Sequence, residues 1–244
     1  MHFHLPKPLH GWRAFVGEVG IIVIGVLIAL GAEQVVVAIQ ERRASEAARQ
    51  SVQAEIAANV KRLLGRAQLQ NCLDRKLNQV GELLAGAGEG TPSLHPTWIS
   101  RPTFWFMSTG NWQAATSAGR AALLSKDDQI RLGTFFADFD FLNQEQEREQ
   151  TAWAHLRGLE DWKGPLGPIA RFGFTQALQD ARYSDYRIRA ETINLVDGMH
   201  RVGIPIPSPS SAHTNAICVP ITTSRAAAEA ITRRGVASAL GDPR

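Results

Sequence analysis

The chain has 244 residues and a net charge of +3, from 26 lysines and arginines against 23 acidic side chains. That balance, with no clustered basic face, excludes a dedicated nucleic-acid binder. The two cysteines, Cys72 and Cys218, lie too far apart in sequence for a C-x-x-C redox motif or a cysteine zinc site.

Residues 1–14 read as an N-terminal arm with prolines and with His2, His4 and His10. Residues 15–39 follow as a transmembrane anchor. Their centre, "GEVGIIVIGVLIALGAEQ", is almost wholly apolar, with Glu18 and Glu33 near its ends. As one helix, Phe15 to Ile39 is about 37 Å long, enough to cross a hydrocarbon core of roughly 30 Å. Carboxylates near the ends cost far less than carboxylates at the centre. Trp12 and Arg13 suit the membrane interface beside Glu18, as Glu33 does at the other side. Gly25 and Ala29 make a small-x-x-x-small pair that lets a second helix approach within the membrane. Two other readings compete. A signal peptide would be cut before Ala32, and a soluble protein would bury the segment in its core. The long polar lead and the valine-rich run after Glu33 favour an uncleaved anchor.

Residues 40–240 read as one helical domain, large enough for a real core. From Gln40 to Ala85 there is no proline, and apolar residues recur at Val52, Ile56, Val60, Leu63 and Ala67, then at Leu73, Leu77, Val80 and Leu84. Such steps mark one helical face, so the anchor is expected to continue as a stalk that stops at "GAGEGTP". That glycine run follows a helix and lacks a lysine-serine ending, so it reads as a linker and not as a phosphate loop. "HPTWISRPTFWFMSTGNW" gathers Trp98, Phe104, Trp105, Phe106 and Trp112, a possible ligand pocket that reads first as a hydrophobic plug. A short helix is expected from Asn111 to Leu124. "SKDD" predicts a helix start, with Ser125 as N-cap.

The next helix is expected from Lys126 to about Trp162, with a seam of Leu132, Phe135, Phe139 and Leu142 resumed at Trp153 and Leu156. Between them, "NQEQEREQ" puts Gln146 and Glu149 on the seam. A polar cavity would explain this, but solvated surface is the leading reading. Glu145, Glu147 and Glu149 alternate faces and do not read as a metal site. After "GPLGP", a helix from about Phe174 to Val202 has the seam Phe174, Leu178, Ala181, Ile188, Leu195 and Met199. Its arginines Arg182, Arg187 and Arg189 mix with Asp180, Asp185 and Glu191, as on a salt-bridged exposed face. "GIPIPSPSSAHTN" is a loop, "ICVPI" a short extended piece, and Ser224 to Arg234 a last helix. The fold class is therefore all-α: an N-terminal transmembrane helix continuing into a helical bundle of long antiparallel helices.

The charge count around the anchor does not choose an orientation, although it slightly favours a cytoplasmic domain. The cysteines alone leave a disulfide in an exported domain and two buried thiols in the cytosol equally open. "LPKPLHGWRAFVGEVGIIVIGVLIALGAEQ" resembles the opening of a family of uncharacterised, short, single-pass proteins of Gram-negative bacteria. Weaker echoes fall at "NCLDRKL", "RPTFW", "ARYSDYRIR" and "ICVPI". The resemblance implies an inner-membrane anchor with a helical domain behind it and carries no active residues. Because both cysteines lie in matching segments, it favours a Cys72–Cys218 disulfide and a periplasmic domain.

Three function classes follow. A membrane-anchored helical interaction or scaffold protein leads, with the lipid bilayer and a protein partner or second copy as its partners. A periplasmic ligand-sensing bundle acting through a partner comes next, and an unrecognised enzyme last. No H-E-x-x-H, G-x-S-x-G or Walker motif occurs, and no cofactor or metal is implied.

Overall fold

The computed structural model describes residues 11–87, 95–209 and 216–239. Six α-helices carry the chain: α1 Trp12–Ala67, α2 Gln70–Ala87, α3 Gly110–Ser117, α4 Lys126–Leu156, α5 Pro168–Val202 and α6 Arg225–Ala239. No β-strand forms among the described residues. The arm up to His10 and the glycine run after Ala87 lie outside them.

The first half of α1 is not buried by the rest of the molecule. Its apolar window is 0% buried, and Ile21, Ile28 and Val35 are exposed. The helix is long and apolar enough to cross a membrane. The soluble-core reading required burial and is not met. Leu123 borders the end of this stretch in a hollow lined by Val35, Ala38 and Ile39, and Ser45 fixes it there by donating its hydroxyl to the Leu123 carbonyl at 3.0 Å.

Beyond that point the helices enclose two apolar cores. One joins Leu73, Leu77, Val80 and Leu84 of α2 to Trp153 and Leu156 of α4 and to Leu178 and Ala181 of α5. The other joins Val52, Ile56, Val60 and Leu63 of α1 to Leu132, Phe135, Phe139 and Leu142 of α4 and to Ile188, Leu195 and Met199 of α5. The expected seams are thus buried, apart from exposed Ala67 and half-buried Phe174, but in two separate sets. Pairs of neighbours run along α4 and α5: Phe135 meets Gly198, Arg187 reaches Glu145, and Gly158, just past α4, meets Phe174.

Several boundaries differ from expectation. The stalk is not continuous. It breaks at Gln68 and Leu69, whose N–H groups bond to Leu64 and Arg66 carbonyls, and the chain restarts as α2. The break turns α2 toward a different core from the one α1 serves. The helix expected from Asn111 to Leu124 stops at Ser117, because Gly119 takes φ +69° and reverses the chain. A 3-10 turn, Arg120–Leu123, follows. Helix α4 ends at Leu156 in a further 3-10 turn, short of Trp162. Helix α5 begins earlier than expected, with Pro168 in its first turn, and ends at Gly203 with φ +69°. Ala216–Cys218 is a 3-10 turn and not an extended piece. Ser125 does cap α4, accepting from the Asp128 N–H at 3.1 Å. Helix α3 lacks a side-chain cap of its own. Glu55 of α1 substitutes, accepting from the N–H groups of Asn111 and Trp112 at 3.1 Å.

Candidate functional site

Between the two cores lies a buried polar layer. Arg66, at the end of α1, donates to Glu149 of α4 through both terminal nitrogens, at 2.9 and 2.6 Å, and to Asp185 of α5 at 2.9 Å. Gln70, at the start of α2, donates to the other Asp185 oxygen at 2.7 Å. One turn away on α4, Glu145 pairs with Arg148 at 2.6 Å and Arg187 at 3.5 Å. Three arginines thus face three acidic groups: Arg66 is buried with Glu145, Glu149 and Asp185, while Arg187 is half-buried and Arg148 reaches in from the surface. Burial works against the charge on Arg66, but Glu149 and Asp185 outweigh it and hold the guanidinium above its ordinary value. Burial pushes the Glu149 carboxyl upward against the pull of Arg66, and the like charge of Asp185 adds to the rise.

The same stretch of α4 holds the segment between Pro102 and Ser108. Gln146 accepts from the Trp105 N–H at 2.8 Å and donates to the Trp105 carbonyl at 3.0 Å. Asn143 does the same for Met107, at 2.9 and 3.0 Å. Asn59 of α1 does so for Ser108, at 3.0 and 2.7 Å, and Gln150 reaches the Pro102 carbonyl at 2.9 Å. The side-chain amides take the place of a neighbouring strand and satisfy backbone groups that burial would otherwise leave unpaired.

This corrects the solvated-surface reading of "NQEQEREQ". Glu145 and Gln146 are 1% exposed and Glu149 is 0% exposed. Glu145 and Glu149 lie one turn apart on the same face. Asp185 is likewise buried and not part of an exposed salt-bridged face. The signal was coincidence between helices. Gln146 and Glu149 interrupt the α4 seam, Asp185 fills the gap between Ala181 and Ile188, and Arg66 follows Leu63.

Two clefts border this architecture. The first, about 330 Å³, is lined mostly by apolar groups, including Leu63, Leu64, Ala67, Ile188, Ile193 and Val196, with Arg66 and Gln70 at its edge. The second, about 570 Å³, lies between α4 and α5 and is more polar. Asp138 and Glu191 both line it. Burial, with the nearby Glu191 charge, raises the Asp138 carboxyl to about 6. The sequence did not suggest this pair, because its members lie on different helices. No group of three potential metal ligands forms among the described residues.

Opposite its buried face, α5 presents an outward row of Ile169, Phe172, Tyr183, Tyr186 and Ile193, with Ile169 90% and Phe172 72% exposed.

The residues singled out in the sequence fall as follows. Cys72 and Cys218 form a disulfide, with Cα atoms 4.7 Å apart. Trp12, Glu18 and Glu33 are exposed on α1. The backbone of Arg13 is helical, and its side chain lies outside the described set. Nothing packs against Gly25, and Ala29 one turn on is exposed. The aromatic set does not converge on either cleft. Trp112 stacks on Phe136, ring centroids 5.2 Å apart, and Trp105 packs beside the same core. Phe104 and Phe106 are exposed, and Trp98 is half-buried.

No protein-family model matches the chain, and no curated protein or solved structure aligns with it significantly.

Proposed function

We propose that the chain is a membrane-anchored interaction protein. In this reading α1 crosses the inner membrane of a Gram-negative bacterium. An antiparallel helical bundle on the periplasmic side then holds a protein partner or a second copy. The unpacked apolar window of α1 supports the anchor, and the N-terminal resemblance points the same way. The neighbour pairs along α4 and α5 support the antiparallel arrangement. The disulfide supports an oxidising compartment.

The observation that carries the interaction reading is the outward row on α5. A helix with one buried stripe ordinarily shows a polar opposite face. Here that face sets two tyrosines, a phenylalanine and two isoleucines among exposed polar groups such as Gln176, Gln179 and Asn194, a mixture suited to a non-obligate protein interface. The test is photocrosslinking in native membranes from positions 172, 183 and 186, with Asn71 and Gln113 as exposed controls. Defined adducts from the α5 row alone are expected, and adduct mass separates a second copy from another protein. Equal, undefined adducts from all positions would defeat the reading.

The first cleft favours a second reading, in which the domain senses a small apolar ligand through a partner. Its mostly apolar lining and its contact with both α1 and α5 suit that role. Saturable binding of an apolar fluorescent dye, lost in Val196→Asp with the helical content unchanged, would raise this reading above the first.

A further inference from the structure

We propose that the turn Arg120–Leu123 rests on the bilayer surface and sets how the domain sits over its own anchor. The proposal depends on α1 being a membrane span. Because α1 is unbroken from Trp12 to Ala67, height above the membrane follows from residue count. Ser45 lies six residues past Ile39, so about 9 Å along the axis. Its hydrogen bond to the Leu123 carbonyl holds the turn at that level. Leu123 then reaches back toward the anchor, sharing a hollow of about 450 Å³ with Val35, Ala38, Ile39 and Arg42. The apolar surface of the anchor therefore continues into the domain at Leu123, which is 39% exposed. The turn cannot swing away freely. Gly119 reverses the chain into it, and Ala121 and Leu124 on either side of the exposed pair are buried.

Charge fits the same occupant. Arg42 and Arg43 follow the anchor, Arg120 opens the turn, and none of the three forms an ion pair among the described residues. Cations just outside an apolar span meet lipid phosphates, and their stems lie along apolar surface. Glu41 is the acidic group lining the hollow. An apolar side chain beside the end of the span, with Arg42 in its hollow and Arg43 and Arg120 close by in the chain, matches an anionic phospholipid surface. The turn and the anchor then give the domain two points of support, so α5 faces a fixed direction relative to the membrane.

The test uses the full chain with its native disulfide intact, reconstituted in vesicles of zwitterionic and anionic phospholipid. Nitroxides are placed through Leu123→Cys, Arg120→Cys, Ile24→Cys and Gln176→Cys, one at a time. Collision with a water-soluble nickel chelate and with oxygen is then measured. Labels at 123 and 120 should meet the chelate several-fold less than the label at 176, and the label at 123 should gain oxygen contact. Two sites guard against a misfolded variant, since Arg120 packs against nothing essential. If 123 and 120 match 176 while the label at 24 is shielded, the docking proposal is wrong and the anchor stands. If the label at 24 also matches 176, the membrane reading itself fails and takes the proposal with it.

Discussion

Arg66 is buried between two carboxylates that would otherwise repel each other. Removing one member of a buried ion group leaves the others uncompensated, while replacing the whole group by neutral residues is often harmless. Arg66→Ala should therefore cost about 3–5 kcal/mol. The triple change Arg66→Met, Glu149→Gln, Asp185→Asn should come back close to the parent. Urea titration of the full chain in detergent checks both, and an Arg66→Ala loss below about 1 kcal/mol would mean the triad is solvated. Asp138 gives a pH signature of the opposite kind. Its carboxyl is raised to about 6 from the ordinary value of 3.8, so folding favours its protonated form. Its contribution is fully present below pH 3.8 and is lost as pH rises through about 6. Thermal melts of the wild type should thus carry a fall in Tm between about pH 4 and 6 that is reduced in Asp138→Asn. Identical pH profiles for the two proteins would remove the effect. The change should be modest, because this side chain keeps much of its solvent.

At the scale of elements, the segment between Pro102 and Ser108 has no regular partner strand and relies on side-chain amides of α1 and α4. Asn143→Leu and Gln146→Leu each strand one buried N–H and one carbonyl, at about 1–3 kcal/mol per unsatisfied group. Amide exchange of Trp105 and Met107 should accelerate in these variants while α2 stays protected. Unchanged exchange would show the segment is held by packing alone. This dependence explains what could be read in the sequence and what could not. Helices α4 and α5 announce themselves by steps of three and four, because a buried stripe must recur with the helical turn. The α1–α2 break leaves one trace, the six-residue step from Ala67 to Leu73, which no continuous face allows. The polar layer was misread because each polar residue, taken alone, looks solvated. Its partners lie 83 and 119 residues away in sequence, so only the assembled fold reveals the pairing. Glu55 capping α3 is legible in neither element, since the donor helix and the cap come from different helices.

For the molecule as a whole, the C-terminal segment is the least self-sufficient part. Helix α6 and the turn before it reach α2 through few groups. Lys76 donates to the Val219 carbonyl, Gln79 accepts from the Ile221 N–H at 3.2 Å, and Cys72 is bonded to Cys218 across a separation of 146 residues. Burial lowers the Lys76 ammonium to about 8, and the charge of Glu160 works against that fall. Arg225 adds an exposed tie to Asp161 at 2.9 Å. The disulfide is the one covalent link in this set, and losing such a bond typically costs about 2–5 kcal/mol. Cys218→Ser should expose residues 216–239 to limited proteolysis while α4 and α5 stay largely intact, because the segment adds only Ile217 and Ile221 to the first core and nothing to the second. Equal cleavage in wild type and variant would show the bond contributes nothing to docking. The same bond reports compartment, since it does not persist in a reducing cytosol. Alkylation of freshly isolated, unreduced, denatured protein should find no free thiol. Finding both Cys72 and Cys218 alkylated would overturn the proposed periplasmic placement and leave the charge count as the guide. That count tilts toward the cytoplasm, because Arg42, Arg43 and Arg49 follow the anchor while Lys7 and Arg13 precede it.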